Sequence, residues 1–220
     1  VWRGNGTVLY EVSNRGGKGL LRYFNRGAGS LDPQTEEEMG DGLLLSNGFT
    51  LLWLGWQFDP PDRDGLVRLF TPVATDGVTV IEGLVRSEVV VQEREFDRSL
   101  ADRNHAAYVV ADPSDPANMM TVRDGVDQPR RVVPRSQWRF ARLENEQVVP
   151  DRTRVYLEDG FEPHKIYDIV YKAQDPPLVG LGPAAIRDVV SRLKYGAAEE
   201  LSIPAGAIDH ALAFGISQSG

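Results

Sequence analysis

The chain has no cysteine, and this absence excludes several kinds of function. None of its 220 residues offers a thiol that could form a disulfide, act as a thiolate nucleophile or bind a metal ion. Histidine is scarce as well, with three residues at His105, His164 and His210. Their positions favour structural or surface roles for all three. Without cysteines, the sequence gives no sign of an oxidising or a reducing environment, so it does not indicate the cellular compartment of the protein.

Long apolar runs and an excess of positive charge are also lacking. No apolar run approaches the roughly 18 residues of a membrane span. The N-terminal VWRGNGTVLY is not a signal peptide and does not begin with methionine, so we expect that the N-terminus has been trimmed. The net charge of −8 argues against a nucleic-acid partner, since phosphate binding relies on clustered Lys and Arg. Five arginines between Gln128 and Arg142 are an exception, and a solvated edge strand explains them better than an anion site.

The composition and the first third of the chain predict an α/β fold. A hydrophobic content of 41% supports a sizeable core. Gly6 to Asn14 and Gly19 to Asn25 have strand-like content. Acids at Glu36 to Glu38 favour a helix start, and Gly48 favours its end. The continuous apolar run Phe49 to Trp56 then predicts a strand buried on both faces, as central parallel strands are. We therefore expect a mostly parallel sheet with helices.

The pattern changes between residues 60 and 162, where short strand-like segments alternate with Pro, Asp and Gly turns. We interpret this stretch as a β-rich insertion, whose carboxylate clusters DRDG and DPSD have turn chemistry rather than calcium-loop spacing. KIYDIVYKA then predicts another strand, and Pro183 to Tyr195 predicts an amphipathic helix. The predicted domains are residues 1–59 and 163–220, which form the α/β core, with residues 60–162 inserted between them.

The last eight residues, AFGISQSG, run from an apolar strand into a turn of small residues. Serine hydrolases place their nucleophile on a sharp strand-to-helix turn, where bulky neighbours would collide, so the pattern is small-x-Ser-x-small. Gly215 to Ser219 fit it, with Ser217 as the nucleophile. Such a turn predicts a positive φ angle at Ser217. The alternative frame places the nucleophile at Ser219, with Ser217 as the small residue.

The chain resembles a bacterial group of α/β-hydrolase domain proteins in four segments: EVSNRGGKGLLRYFN, GFTLLWLGWQFD, IYDIVYKAQDPPLVGLGPAAIRD and ALAFGISQSG. These segments cover both ends of the chain. The resemblance implies that Ser217 is the nucleophile and that the backbone N–H of Gln218 is an oxyanion donor. It places a second donor in the loop that contains Arg15 and Gly16, although this loop lacks the common His-Gly-Gly form.

The same resemblance implies a carboxylic-ester hydrolase that works through a serine acyl-enzyme. It implies no metal and no organic cofactor, and a small-molecule or polymeric ester as substrate. In this family the acid and the histidine follow the serine along the chain, so both would lie beyond Gly220. We therefore expect an N-terminal fragment that ends at the nucleophile turn and is nearly inert alone.

Two alternatives come from other classes of protein. GLGPAA, Gly180 to Ala185, matches a dinucleotide fingerprint, with Glu199 and Glu200 about twenty residues on. However, QDPPLV separates it from the preceding strand, and close packing of the helix explains its glycines more simply. A non-catalytic carbohydrate- or polymer-binding module would instead use tryptophans as stacking platforms, although core tryptophans are commoner. The three candidates are Trp53, Trp56 and Trp138.

Overall fold

The structure is a computed structural model, which describes residues 4–25, 30, 33–102, 105–196 and 198–220. Within these ranges the chain forms fifteen strands: β1 Thr7–Val12, β2 Thr50–Leu54, β3 Thr75–Asp76, β4 Thr79–Val80, β5 Glu82–Val89, β6 Glu95–Ser99, β7 Val109–Val110, β8 Met119–Arg123, β9 Arg131–Val133, β10 Trp138–Arg139, β11 Ala141–Glu144, β12 Gln147–Pro150, β13 Arg154–Phe161, β14 Ile166–Gln174 and β15 His210–Gly215.

Three α-helices lie in the same ranges: α1 Leu20–Phe24, α2 Leu43–Ser46 and α3 Gly182–Tyr195. Single 3₁₀ turns occur at Glu37–Met39, Arg135–Gln137, Glu199–Leu201 and Ser217–Ser219. The long amphipathic helix predicted from the sequence is confirmed as α3, with a proline in its first turn. Among the described residues, no helix has both the length and the apolar content needed to cross a membrane.

The chain divides into two compact units. One consists of Val1–Thr71 and Val179–Gly220, and the other of Pro72–Leu178. We call them the parallel-sheet unit and the antiparallel unit. The boundaries predicted from the sequence lie after residues 59 and 162, whereas the observed boundaries lie after Thr71 and Leu178.

The parallel-sheet unit is built on three parallel strands in the order β15-β1-β2. Val12 of β1 pairs with Leu54 of β2 and with Gly215 of β15, so all three strands end at the same edge of the sheet. Leu9 packs on one side of the sheet in a cluster with residues of α1 and α2. Val8 packs on the other side with Leu193 of α3. Loops that follow β1 and β15 are therefore neighbours.

The segment Gly19 to Asn25 was expected to be a strand, and it forms helix α1 instead. The buried side chain of Glu11 in β1 favours the helix, because its carboxylate accepts hydrogen bonds from the N–H groups of Gly19 and Leu20. These bonds satisfy N–H groups at the start of a helix, which have no partner within the helix itself. Leu20 and Leu21 are then buried beneath it.

The antiparallel unit contains the remaining strands, all paired antiparallel. Its larger sheet has the order β5-β14-β8-β9, with β7 also paired to β14, and a second sheet has the order β10-β13-β6. The hairpins β3-β4 and β11-β12 complete it. Its core is rich in aromatic side chains, among which Trp138, Phe161 and Tyr171 are almost fully buried.

The predicted α/β fold with a mostly parallel sheet is wrong. Strands make up 37% of the chain and helices 16%, and the sheets are mostly antiparallel. In the part of the chain that the structure describes, parallel pairing is confined to β15-β1-β2. The strand predicted from KIYDIVYKA is β14, in the centre of the antiparallel sheet. The strand predicted between Phe49 and Trp56 is β2, half-buried at the edge of the parallel sheet rather than central.

Candidate functional site

Ser217 lies on a sharp turn directly after β15. Ile216 is still extended, with φ −129° and ψ 134°, whereas Ser217 has a φ angle of 57°. A positive φ is uncommon for a residue with a side chain and costs of order 1–3 kcal/mol when it is strained. The predicted positive φ at Ser217 is confirmed. The side chain is exposed at the edge where the parallel strands end.

Gly215 permits this turn because the chain folds back onto it. A Cβ atom at position 215 would lie 2.6 Å from the carbonyl carbon of Ser219 and 3.0 Å from the Cα atom of Gly220. No side chain fits at that separation. Glycine is therefore required at position 215, because the backbone of Ser219 and Gly220 occupies the space that a side chain would need.

The alternative nucleophile, Ser219, has a different environment. Its hydroxyl is buried and has no hydrogen-bond partner among the described residues. Its backbone is not in the positive-φ region. An exposed hydroxyl can meet a substrate and a buried one cannot, so the turn favours Ser217.

The loop after β1 lies beside the Ser217 turn. Val12 and Gly215 are partners in the register, so the residues that follow them emerge at the same edge. Arg15 and Gly16 have φ angles of 50° and 76° and form a tight turn closed by a 2.9 Å hydrogen bond from the Gly17 N–H to the Asn14 carbonyl. The structure thus brings together two of the elements expected to hold the site.

The two loops also touch a few residues further along. A Cβ atom at Gly19 would lie 2.7 Å from the Cδ1 atom of Ile216, the residue before Ser217. Glycine at position 19 therefore allows the loop after β1 to approach the Ser217 turn closely.

The backbone N–H groups at the site differ in whether they already have a partner. The Arg15 N–H donates to the Oε1 atom of Gln57 at 2.6 Å. The N–H groups of Gly16 and Gln218 make no hydrogen bond to another described residue. The Gln218 N–H thus belongs to an exposed residue, the Gly16 N–H lies in a buried part of the turn, and the Arg15 N–H is occupied.

The segment that follows β2 holds the Arg15–Gly16 turn in place. The Val67 N–H donates to the Gly16 carbonyl at 3.0 Å, and the indole N–H of Trp56 donates to the Ser13 carbonyl at 2.9 Å. A Cβ atom at Gly16 would lie 2.8 Å from the Val67 carbonyl oxygen. The positive φ angles of the turn are thus maintained by packing from outside it.

Glu11 is the buried acid of this region, with 1% of its surface exposed. It accepts hydrogen bonds of 2.8 to 2.9 Å from the N–H groups of Gly19 and Leu20. Burial raises the pKa of the Glu11 carboxyl, although these N–H groups and Trp53 act in the opposite direction. Glu11 is fully engaged in starting α1, so its role is to position the loop. Sequence reasoning missed it, because a lone Glu within a strand carries no pattern that reveals its partners.

No histidine of the parallel-sheet unit reaches Ser217. The only one in its sequence, His210, begins β15, and Gly215 ends it. Five steps along a strand of about 3.3 Å each separate the two ends by roughly 17 Å. His105 and His164 belong to the antiparallel unit. Within the described part of the parallel-sheet unit, the site has a serine and N–H donors but no histidine beside the serine.

A cavity of about 550 Å³ lies elsewhere in the parallel-sheet unit. It is lined by residues near the start of β1 and β2 and by Leu193 of α3, on the Val8 side of the sheet. Ser217, Arg15 and Gly16 do not line it. This cavity is therefore separate from the Ser217 turn.

The dinucleotide fingerprint does not have the geometry it requires. The preceding strand, β14, ends at Gln174 in the antiparallel sheet, and five residues separate it from Gly180. Gly182 is explained by packing, since a Cβ atom there would lie 2.8 Å from the Cε3 atom of the Trp56 ring. The fingerprint needs its turn directly after a parallel strand.

The tryptophans proposed as stacking platforms have structural contacts. Trp138 is 2% exposed in the core of the antiparallel unit. Trp53 and Trp56 are half-buried, and each contributes a hydrogen bond to the loop region, with Glu11 and Ser13 respectively. These contacts give structural roles to all three tryptophans.

The arginines between Gln128 and Arg142 are all engaged. Arg131 pairs with Asp124 at 2.8 Å, and Arg142 pairs with Glu144 at 2.8 Å. Arg135 lies over the ring of Trp138 and Arg139 over that of Tyr156. Arg130 pairs with a carboxylate of β14. Two strands lie within this segment, β9 and β10, and each is at the edge of its sheet.

Two further findings bear on the function. Within the described ranges, no group of three or more His, Asp and Glu side chains is placed to hold a metal ion. No family model, no curated protein and no solved structure matches this chain. The assignment of a function therefore depends on the geometry of the Ser217 turn and the loop beside it.

Proposed function

We propose that Ser217 is the nucleophile of a carboxylic-ester hydrolase. The observation that carries this proposal is the positive φ angle of an exposed serine at the edge where three parallel strands end. Such a backbone lifts the hydroxyl away from the strand, which is what a nucleophile needs. The close packing of Gly215 against Ser219 supports the same function, because it enforces the turn.

In the proposed reaction the Ser217 hydroxyl oxygen attacks the ester carbonyl carbon, and its proton passes to a general base. The negative charge that develops on the carbonyl oxygen is stabilised by the N–H groups of Gln218 and Gly16. The alcohol leaves with a proton, and water then hydrolyses the acyl-enzyme to release the acid and restore the serine. In hydrolases of this type the general base is a histidine that an acid holds in the correct orientation.

Labelling with a fluorophosphonate probe tests the proposal on the whole protein. We expect covalent labelling, its loss in Ser217→Ala, and its retention in Ser202→Ala. Ser202 is a matched control because it is also exposed and also has a positive φ angle, 56°, but it lines the cavity near the starts of β1 and β2. Hydrolysis of a p-nitrophenyl ester is expected to change in parallel.

The outcomes separate the alternatives. Loss of labelling in Ser219→Ala but not in Ser217→Ala assigns the nucleophile to the other frame. Equal labelling in all variants, or none in the unmodified protein, contradicts the proposal.

A further inference from the structure

A second cluster of polar side chains lies on the antiparallel unit, around Asp168 of β14. Its carboxylate is 4% exposed and is surrounded by three guanidinium groups. Arg86 of β5 contacts its Oδ1 atom through Nε at 2.8 Å and Nη2 at 2.7 Å. Arg130 contacts its Oδ2 atom through Nε at 2.9 Å, and Arg123 lies 3.7 Å from the same oxygen.

One other carboxylate joins this cluster. Glu88 lies 2.9 Å from the Nη2 atom of Arg86 and 3.4 Å from that of Arg123. Three guanidinium groups thus face two carboxylates, and one positive charge is in excess. The nearby Asp124 does not balance it, since Asp124 pairs with Arg131 and Lys165. A local positive charge is notable in a chain whose net charge is −8.

Several guanidinium N–H groups of the cluster are unused. Neither Nη atom of Arg130 nor the Nη1 atom of Arg86 makes a hydrogen bond to another described residue. These two side chains are 49% and 52% exposed, so the unused groups can reach solvent. Arg123 is buried, and its Nε atom has no hydrogen-bond partner among the described residues. Guanidinium groups of this kind bind oxyanions through paired N–H groups.

Part of the cluster is held in place by contacts within the protein. Asp168 and Arg123 are its buried members. Arg86 is held by two carboxylates, those of Glu88 and Asp168. Side chains that are already ordered lose little conformational entropy when a ligand binds.

We infer that this cluster, Arg86, Arg123 and Arg130 around Asp168, binds a phosphate group. Arg86 and Arg130 contact different oxygens of the same carboxylate, and each keeps N–H groups that no other described residue uses. A phosphate has enough oxygens and charge to meet both guanidinium groups at once, whereas a monocarboxylate matches one fork. The group belongs either to free inorganic phosphate or to a phosphate monoester. The inference is independent of the proposed hydrolase function.

Titration calorimetry with inorganic phosphate at constant ionic strength tests the inference on the full chain. We expect saturable binding that weakens at least tenfold in Arg130→Gln. The control is Arg142→Gln, because Arg142 is also a half-exposed arginine that pairs with two carboxylates of the same unit, and binding to this variant should be unchanged. Arg86→Gln is a second variant that should also weaken binding at least tenfold.

Two further ligands identify the source of the phosphate. Tighter binding of glycerol 2-phosphate than of inorganic phosphate indicates a monoester, and the reverse indicates the free anion. Binding of acetate in preference to both overturns the assignment to phosphate. Absence of saturable phosphate binding, or equal weakening in the Arg142 variant, shows that the cluster serves only to stabilise the sheet.

Discussion

Gly215 precedes the Ser217 turn by two residues, at the place where the backbone of Ser219 folds back. Replacing it with alanine is expected to displace the turn, because the new Cβ atom would lie 2.6 Å from the Ser219 carbonyl carbon. We expect a loss of stability of about 1–3 kcal/mol and the loss of fluorophosphonate labelling. Denaturant unfolding and labelling measure the two effects. Gly83→Ala is the control, since a Cβ atom there meets nothing within 4 Å. Unchanged labelling in Gly215→Ala would show that the turn adapts.

Gln57 is the partner of the Arg15 N–H, at 2.6 Å. In Gln57→Ala this N–H loses its acceptor, so its hydrogen exchange is expected to accelerate by about tenfold or more. Gln57→Glu keeps an oxygen acceptor and should retain the protection. The N–H of Ser13, which donates to the Leu54 carbonyl at 3.1 Å, is the internal control. Amide exchange measured by NMR distinguishes the residues. Equal exchange at Arg15 in both variants would contradict a role for Gln57 in holding the turn.

The predictability of the site also varies from residue to residue. The small-x-Ser-x-small pattern predicted the positive φ angle at Ser217, because a glycine at 215 and a sharp turn are parts of one local geometry. The roles of Glu11 and Gln57 were not predicted. Each depends on a partner eight or more residues away, and such partners become neighbours only when the sheet has formed.

At the scale of elements, β14 depends on the charge of Asp168. Burial alone would raise the pKa of this carboxyl, but hydrogen bonds from Arg130 and Arg86 outweigh it and hold the pKa below the usual value of 3.8. Because the pKa of Asp168 is lowered in the folded state, its charged carboxylate stabilises the fold at pH values above its usual pKa. This stabilisation is lost as the pH falls through the folded-state pKa.

Asp168→Asn should therefore lower the stability at neutral pH and reduce its loss in acid. We expect a cost of about 3 kcal/mol at neutral pH, because the substitution removes the buried carboxylate beside Arg123 and leaves the half-exposed Glu88 as its remaining counterion. Urea unfolding at several pH values measures both effects. Asp124→Asn, in an exposed ion pair, should have a much smaller effect. If Asp168→Asn loses as much stability in acid as the unmodified protein does, other groups are responsible for the acid sensitivity.

The elements themselves were predictable where the signal is local. The strand β1, the helix α3 and the strand β15 follow from hydrophobic periodicity and from glycine and proline at their ends. The segment at α1 has the same apolar content as a strand, and its helix depends on the carboxylate of Glu11. The apolar pattern of β14 marks a buried strand correctly, but it does not say whether the neighbouring strands run parallel or antiparallel. The fold class was wrong for this reason.

At the scale of the whole molecule, the antiparallel unit is one continuous stretch with its ends held together. The Ala74 N–H donates to the Pro176 carbonyl at 2.8 Å, and the Leu178 N–H donates to the Pro72 carbonyl at 3.0 Å. A core of its own surrounds Trp138. Expressed alone, residues 72–178 should therefore fold and unfold cooperatively.

Circular dichroism with urea unfolding measures this folding. Trp138→Ala is the matched variant for residues 72–178, and it should lose about 3–5 kcal/mol because it empties the centre of the core. A non-cooperative transition in the unmodified stretch would mean that its core depends on the rest of the chain.

The position of β15 in the sheet has a consequence for the behaviour of the chain in solution. Among the described residues β15 pairs with β1 alone, so one side of its backbone presents unpaired N–H and C=O groups. Its sequence, HALAFG, has no Lys, Glu or Pro to discourage another strand, and Leu212 is half exposed. A second chain can add a strand here, so concentrated solutions of this chain are expected to assemble through β15 while the rest of the molecule stays folded.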